Sequence, residues 1–167
     1  MMEKIKTNIY LSANEASIVV ADKIAEQINS ANSDNKPFVL GLATGSTPLG
    51  VYRELIKKSK GGELAFKNTY SFNLDEYFGI GPDHPESYRK FMERHFFSHI
   101  DIPKENTFVP DGLIPREKLS TYCKEYERQI AQLGGIDVQL LGIGRTGHIG
   151  FNEPGSSIDS ITRLIQL

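Results

Sequence analysis

The chain has 167 residues, of which 39% are hydrophobic and 24% are charged, and it carries a net charge of −2 at pH 7. This length suits one globular domain with a real hydrophobic core, and the interspersed charges argue against a nucleic-acid partner. No apolar run approaches the roughly 20 residues that span a bilayer, and the single cysteine, Cys123, excludes an internal disulfide.

The N-terminal part of the chain predicts a short strand and a long helix. The first residues lack the apolar core and cleavage site of a signal peptide, so we expect a cytoplasmic protein. Residues 5–11 alternate between apolar and polar side chains, which predicts a first strand. Ser12 and Glu15 have the spacing of a capping box, which predicts a helix that continues to the polar residues 29–36.

A second strand is predicted at residues 37–42 and a second helix at residues 48–58, with Thr47 as N-cap and Pro48 as first helical residue. The loop between them offers hydroxyls and free amides at a helix N-terminus, which suits a phosphate group. Plain N-capping explains the same loop equally well. The candidate phosphate ligands are Thr44, Gly45, Ser46 and Thr47.

A third strand, predicted at residues 69–74, ends in the two acids Asp75 and Glu76. A carboxylate at the end of an apolar strand loses solvation, which raises its pKa toward that of a useful base. A pair of solvated loop acids is the commoner arrangement, but the neighbouring aromatic residues Tyr77 and Phe78 favour a partly enclosed setting.

The remaining chain continues the alternation of helices and strands. Further helices are predicted at residues 86–99 and 115–133, and further strands at residues 106–109 and 136–143. Cys123 lies on the apolar stripe of the long helix, which is typical of a core thiol. Residues 161–167 resemble the beginning of another strand. We therefore expect a single domain over residues 1–167 that lacks the C-terminal part of its fold.

This alternation predicts an α/β fold with a mostly parallel sheet covered by helices on both faces. Ligands of such sheets bind beyond the carboxyl ends of the strands. Three strand exits carry unusual residues: 43–48, 73–77 and 142–155. If the strands are neighbours, all three exits open onto one crevice.

The third exit contains five glycines together with His148 and Glu153. A histidine with a carboxylate at the end of a buried strand suits proton transfer near neutral pH. A glycine-rich turn whose histidine merely bonds to backbone is the competing interpretation.

Two other kinds of site are rejected on sequence grounds. Gly142, Gly144 and Gly147 match the dinucleotide fingerprint, but residues 148–154 cannot open the helix that this fingerprint requires. The four histidines are scattered and lack an HExxH context, so no metal site is predicted.

With the three loops combined, the chain resembles the glucosamine-6-phosphate deaminase family (glucosamine/galactosamine-6-phosphate isomerases). Four motifs carry the resemblance and extend over almost the whole chain. They are residues 41–48 (GLATGSTP), 73–77 (NLDEY), 84–88 (HPESY) and 147–154 (GHIGFNEP).

The resemblance implies a Rossmann-like three-layer α/β/α fold without a cofactor. It also implies conversion of glucosamine 6-phosphate and water to fructose 6-phosphate and ammonia, a hydrolytic deamination in amino-sugar catabolism. His148 would assist opening of the pyranose ring, and Glu153 would orient the imidazole and favour its charged form. Asp75 would move a proton from C2 to C1 of the open sugar, and residues 44–47 would hold the phosphate.

The chain departs from the family pattern at Thr146, where the family has an aspartate or asparagine that supports ring opening. Threonine lacks the charge that stabilises an imidazolium, so we expect weakened ring opening, altered substrate choice or lost activity. Family members contribute an arginine and a lysine to the phosphate from positions beyond Leu167. Regulated members bind N-acetylglucosamine 6-phosphate at positions that match Ser156 and Arg163, but the accompanying lysine falls at Ile165.

Two alternatives stay open beside the deaminase. One is a catalytically impaired sugar-phosphate-binding domain, motivated by Thr146. The other is a 6-phosphogluconolactonase, which ranks lower because the motifs at residues 73–77 and 151–154 follow the deaminase pattern. The expected partner in each case is a sugar phosphate. For the full-length protein the resemblance is compatible with a homo-oligomer.

Overall fold

A four-stranded parallel sheet forms the centre of the computed structural model, which describes residues 5–166. Its strands are β1 (Phe38–Leu42), β2 (Thr69–Asn73), β3 (Thr107–Phe108) and β4 (Val138–Gln139), in the spatial order β3-β2-β1-β4. Strand β1 pairs in parallel with both β2 and β4, and all five of its residues are buried. The near-continuous apolar sequence of β1 is therefore that of a central strand covered on both faces.

Within the described residues, four α-helices cover this sheet: α1 (Ala13–Ser33), α2 (Leu49–Lys60), α3 (Tyr88–His95) and α4 (Leu119–Gln132). Short 3₁₀ turns at Phe97–His99, Lys104–Asn106 and Arg116–Lys118 connect them to the strands. Among residues 5–166, no helix combines the length and the apolar character that crossing a membrane requires.

The helices lie on opposite faces of the sheet and bury two apolar clusters. On one face, residues of α1, α2 and α3 pack against Phe38, Leu40 and Leu42 of β1. On the other face, Tyr126 of α4 packs against Val39 and Phe72. Since side chains of a strand alternate between faces, consecutive residues of β1 serve the two clusters. The predicted α/β fold, with three layers and a parallel sheet, is confirmed.

The helix starts agree only in part with the predicted caps. The Ser12 hydroxyl accepts a hydrogen bond from the Glu15 amide at 3.1 Å, and the Glu15 carboxylate accepts one from the Leu11 amide at 3.0 Å. The predicted N-cap at Ser12 is confirmed, but Glu15 reaches the amide of the residue before the N-cap, whereas a capping box would use the amide of Ser12. The prediction at α2 was wrong, because Pro48 holds the N-cap position without a side-chain bond and Thr47 lies in the loop before it.

The strand predicted at residues 5–11 is absent from the structure. Ile5, Ile9 and Leu11 are at least 90% exposed, and none of residues 5–11 pairs with a strand of the described chain. Alternating polarity specifies a strand only where a sheet edge and a core face receive it. No such edge or core meets this segment among the described residues, so the pattern alone was misleading.

The later elements are shorter than predicted. The strand predicted at residues 136–143 is reduced to Val138–Gln139, because β4 is an edge strand that pairs only with β1 over these two residues. The helix predicted at residues 86–99 is α3 followed by a 3₁₀ turn.

The strand predicted at residues 161–167 is not formed over residues 161–166, and Leu167 lies outside the described residues. The amide and hydroxyl of Thr162 instead donate to the Glu127 carboxylate of α4, at 2.8 and 2.7 Å. The Glu127 side chain thus accepts the hydrogen bond from the Thr162 amide that the backbone of a neighbouring strand would accept in a sheet.

Candidate active site

A cleft of about 420 Å³ opens at the carboxyl ends of β1, β2 and β4. It is the crevice that the sequence predicted from three strand exits, since each predicted loop contributes to its walls. The α3 N-terminus forms a fourth side. The lining includes residues 43–47, Leu74, Asp75, Tyr77, residues 85–88, Phe91, residues 142–144, His148, Gly150 and Phe151.

Asp75 lies in this cleft two residues after the end of β2. Tyr126 of α4 fixes the end of that strand, because its buried hydroxyl donates to the backbone carbonyl of Asn73 at 2.8 Å and also lies 3.2 Å from the carbonyl of Phe108. Burial, together with the adjacent charge of Glu76, raises the pKa of Asp75 to about 6. Asp75 therefore has the basicity of a proton acceptor that works near neutral pH.

The loop that carries His148 passes directly over this carboxylate. Gly150 adopts a φ of +57°, and a Cβ atom added to it would lie 3.1 Å from Oδ2 of Asp75. A side chain at this position would therefore crowd the carboxylate as well as strain the backbone. The glycine brings the two predicted proton-transfer loops into contact.

His148, Thr146 and Glu153 form one hydrogen-bonded group. Oγ1 of Thr146 lies 2.9 Å from Nδ1 of His148 and donates to Oε2 of Glu153 at 2.8 Å. Oε1 of Glu153 is 3.4 Å from the same imidazole nitrogen. The sequence paired His148 with Glu153 directly, whereas the structure joins them mainly through the Thr146 hydroxyl.

This arrangement assigns the tautomer of the neutral imidazole. A threonine hydroxyl has one proton to donate, and here it is donated to Glu153. In its bond to His148 the hydroxyl must therefore accept, so Nδ1 of His148 carries the proton. The lone pair of Nε2 is left free to accept a proton in the cleft.

The imidazole also lies against the backbone of Gly144. A Cβ atom at Gly144 would overlap the His148 ring. The Gly144 amide donates to the His148 carbonyl at 2.8 Å, and the Gly147 amide donates to the Gly144 carbonyl at 3.0 Å. The glycine spacing thus builds a tight turn around the histidine. Residues 148–166 contain no helix, whereas the rejected dinucleotide fingerprint would have required one.

The predicted phosphate loop lies at the cleft entrance before α2. Gly45, Ser46 and Thr47 are exposed, and Gly45 adopts a φ of +99°. Within residues 5–166, the amides of residues 44–47 have no hydrogen-bond acceptor. Free amides before a helix N-terminus suit an anion even though Thr47 does not cap that helix.

An aromatic wall of Tyr77, Tyr88 and Phe151 was missed as a feature of the site. The Tyr77 and Tyr88 ring centroids are 4.9 Å apart, and Phe151 lies 5.4 and 5.8 Å from them. The Tyr88 hydroxyl donates to that of Tyr77 at 3.3 Å, and burial raises the pKa of Tyr88. Tyr77 was expected in a partly enclosed setting, whereas for Tyr88 and Phe151 the sequence signal was their place in the motifs at residues 84–88 and 147–154.

The two residues predicted for an effector site lie elsewhere. Ser156 and Arg163 line a second cleft, of about 550 Å³, between α4 and the C-terminal segment. The Arg163 guanidinium donates to Oδ1 of Asn152 at 2.8 Å. Asp75 borders both clefts, but His148 and the phosphate loop line only the first.

Residues 12–151 match the family described as glucosamine-6-phosphate isomerases/6-phosphogluconolactonase. The glucosamine-6-phosphate deaminase of Thermoanaerobacter sp. (strain X514) is 51% identical over 148 residues, which are 89% of this chain and 58% of that protein. That of Phocaeicola vulgatus is 53% identical over 145 residues, 86% of this chain and 54% of that protein. The chain thus spans little more than half the length of these relatives.

Two solved structures place the fold among the same proteins. A monomeric glucosamine-6-phosphate deaminase superposes with a TM-score of 0.85 at 44% identity, over 93% of this chain and 62% of that one. A 6-phosphogluconolactonase from Thermotoga maritima gives a TM-score of 0.67 at 27% identity, over 81% of this chain and 59% of that one.

Proposed function

This chain belongs to the glucosamine-6-phosphate isomerase/6-phosphogluconolactonase family, and on that premise we propose that the full-length protein converts glucosamine 6-phosphate and water to fructose 6-phosphate and ammonia. The observation that carries the proposal is that Asp75 and His148 line one cleft, and that His148 is hydrogen-bonded to Thr146, which in turn donates to Glu153. An isomerisation with loss of ammonia needs a base for a carbon-bound proton and a separate carrier for the ring oxygen's proton.

His148 serves the ring-opening step in this proposal. Its Nε2 lone pair accepts the proton of the sugar's C1 hydroxyl, and the resulting imidazolium gives a proton to the ring oxygen as the C1–O5 bond breaks. The imidazolium forms beside the Glu153 carboxylate, whose Oε1 is 3.4 Å from Nδ1. Glu153 supplies the negative charge that the neutral Thr146 lacks.

Asp75 serves the proton transfer between carbons. As a carboxylate it removes the C2 proton of the open-chain sugar while O1 gains a proton, and as a carboxylic acid it returns the carbon-bound proton to C1 while the amino nitrogen loses one. The product is an imine at C2, which water hydrolyses to the ketone with release of ammonia. A pKa of about 6 supports both halves of this cycle, since neither protonation state is strongly disfavoured near neutral pH. The hydrolysis of the imine is the reason why the sequence predicted a hydrolase.

The substrate's phosphate is assigned to residues 44–47. Their free amides at the entrance of the cleft, before the N-terminus of α2, support this assignment. Ser156 and Arg163, which share the second cleft, are proposed as part of an effector site. The cytoplasmic location, the absence of a cofactor and the homo-oligomeric state of the full-length protein stay predictions from the sequence.

Similarity favours the deaminase over the lactonase. The relatives named as deaminases are about half identical to the chain, whereas the lactonase structure is 27% identical and superposes with a lower TM-score than the deaminase structure. These differences support the deaminase assignment within a family that holds both activities.

The proposal is tested by a coupled assay for fructose 6-phosphate and ammonia on the full-length protein. We expect turnover of glucosamine 6-phosphate that is lost in Asp75→Asn. Binding of the sugar phosphate without turnover in either protein would establish the sugar-phosphate-binding alternative instead. Rapid hydrolysis of 6-phosphogluconolactone without ammonia release would establish the lactonase.

A further inference from the structure

Glu76 has four hydrogen-bond donors arranged around its carboxylate. Oε1 accepts from the amides of Tyr77 and Tyr88 at 2.8 and 2.9 Å, and Oε2 accepts from the Ser87 hydroxyl and the Arg89 amide at 2.7 and 3.0 Å. The side chain is half-buried beside the cleft. A carboxylate that accepts this many bonds is fixed in position.

Three of these donors belong to the first turn of α3. Ser87 is the N-cap of that helix, and Tyr88 and Arg89 are its first two residues, whose amides have no partner within a helix. A carboxylate at a helix N-terminus satisfies such amides and interacts favourably with the helix dipole. Glu76 therefore ties the end of the β2 exit to the start of α3 across the intervening loop.

The first helical residue of α3 in turn contacts the loop that carries the histidine. The Tyr88 ring packs on Tyr77 and on Phe151, which is three residues beyond His148. A continuous set of contacts thus runs from Glu76 through Tyr88 to Phe151. It sets how far the β2 exit, and with it Asp75, lies from the histidine loop.

We propose that Glu76 is a positioning residue, whose carboxylate holds the N-terminal turn of α3 against the β2 exit and thereby keeps Asp75 and the His148 loop at their working separation. This inference rests on the proposed function for its catalytic meaning. The four hydrogen bonds and the aromatic contacts that carry it belong to the fold and are independent of the substrate.

The charge of Glu76 adds an electrostatic consequence. After burial, the neighbouring charge of Glu76 is the second cause that raises the pKa of Asp75. The other titratable side chains that interact with Asp75 are Tyr88 of α3 and Tyr126 of α4, and both phenols are neutral because burial raises their pKa. Glu76 is thus the charged group that acts on Asp75 from its own loop.

The test replaces Glu76 with glutamine, which has nearly the same shape. The amide group has one acceptor oxygen and no charge, so its nitrogen faces donors of the α3 turn. We expect the amides of Tyr88 and Arg89 to exchange with solvent about 10-fold faster than in the parent. We also expect the titration midpoint of Asp75, followed by carboxyl ¹³C NMR, to move to lower pH by about 0.5.

Two further variants separate position from charge. Glu105→Gln removes an exposed acid without hydrogen bonds to the described chain and should change neither measurement. Ser87→Ala removes one donor but keeps the Glu76 charge, so it should speed amide exchange while leaving the Asp75 midpoint near that of the parent. If the parent protein deaminates glucosamine 6-phosphate, Glu76→Gln should lower kcat/KM. The acid limb of the pH profile of kcat/KM should move together with the Asp75 midpoint.

Parent-like exchange of both amides in Glu76→Gln overturns the positioning role, and an unmoved Asp75 midpoint overturns the electrostatic effect of Glu76 on Asp75. Neither NMR measurement needs turnover. A protein that fails to deaminate glucosamine 6-phosphate therefore contradicts the proposed function and leaves the role of Glu76 to be decided by exchange and titration.

Discussion

The hydroxyl of Thr146 lies 2.9 Å from Nδ1 of His148 and accepts a hydrogen bond from the Nδ1–H group. It is the acceptor because its own proton is donated to Glu153. Threonine at this position is therefore an active partner of the imidazole. Through Thr146, Glu153 orients the imidazole, and the neutral ring is held in the tautomer whose Nε2 lone pair is free. The negative charge beside the imidazole comes from Glu153, whose Oε1 lies 3.4 Å from Nδ1.

Replacing Thr146 with valine should lower kcat/KM by about 10- to 100-fold, because valine has the same shape but can neither accept from Nδ1 nor donate to Glu153. Thr146→Ser keeps the hydroxyl and is the matched control, which should retain most of the activity. The tautomer can be followed directly by the ¹⁵N shifts of the His148 ring. Equal activity and an unchanged ring spectrum in the valine variant would show that the hydroxyl has no part in catalysis.

Replacing Asp75 with asparagine should abolish proton transfer and stabilise the fold above pH 6. The raised pKa means that Asp75 binds its proton more tightly in the folded chain than in the unfolded one. Stability is therefore lost as pH rises from about 4 to about 6, and the variant escapes this loss. We expect a gain of about 1–2 kcal/mol at pH 7.5, less than the full equivalent of the shift because the carboxyl is partly exposed.

Urea unfolding of Asp75→Asn at pH 7.5 and at pH 4 measures this gain, which should be much smaller at the lower pH. Asp159→Asn changes an exposed acid and is the control, with no gain expected at either pH. A variant that is less stable than the parent at pH 7.5 would contradict a desolvated Asp75. A stabilised and inactive variant is typical of a group that is kept for function at a cost in stability.

Much of the fold could be predicted because its signals are local. The capping pattern of Ser12 and Glu15 and the apolar run of β1 specify their elements without reference to the rest of the chain. Strand partners are not local. Residues 5–11 carry the right alternation but meet no sheet edge in the described chain, and β4 pairs over only two residues because a single neighbour receives it.

The site shows the same division. Asp75, His148 and Glu153 could be singled out as candidates because strand exits and glycine-rich turns mark them along the chain. The bridge through Thr146 and the four bonds of Glu76 depend on which way side chains point after the loops have folded back. Glu76 and Ser87 are eleven residues apart, and no periodic pattern connects an acid with a helix N-terminus at that separation.

The phosphate loop should lose anion affinity when Gly45 becomes alanine. Gly45 adopts a φ of +99°, which costs an alanine about 1–2 kcal/mol and shifts the loop away from its present shape. Titration with inorganic phosphate, followed through the amide resonances of residues 44–47, should show about 10-fold weaker binding in the variant.

Gly62→Ala is the matched control for this experiment. Gly62 has a φ of +76° and open space around its Cα, as Gly45 does, but it follows α2 and lies outside the cleft. It should lose similar stability without losing phosphate affinity. If phosphate causes no change in the amide resonances of residues 44–47 in the parent protein, the anion does not bind at this loop.

Replacing Gly144 with alanine should displace the histidine without unfolding the protein. The new Cβ would overlap the His148 imidazole, which must rotate away and break its bond to Thr146. Because the His148 side chain is 41% exposed, it can move without disturbing the core. We expect kcat/KM to fall by at least about 10-fold, while the urea midpoint stays near that of the parent.

Gly142→Ala provides the comparison in the same turn, because its nearest neighbour would be Cβ of Thr47 at 3.8 Å, an ordinary contact. It should reduce activity much less than Gly144→Ala. Equal losses in the two variants would attribute the effect to general stiffening of the loop, and intact activity in both would mean that the imidazole need not lie against Gly144. A selective loss in Gly144→Ala ties catalysis to the ring position that Thr146 and Glu153 hold.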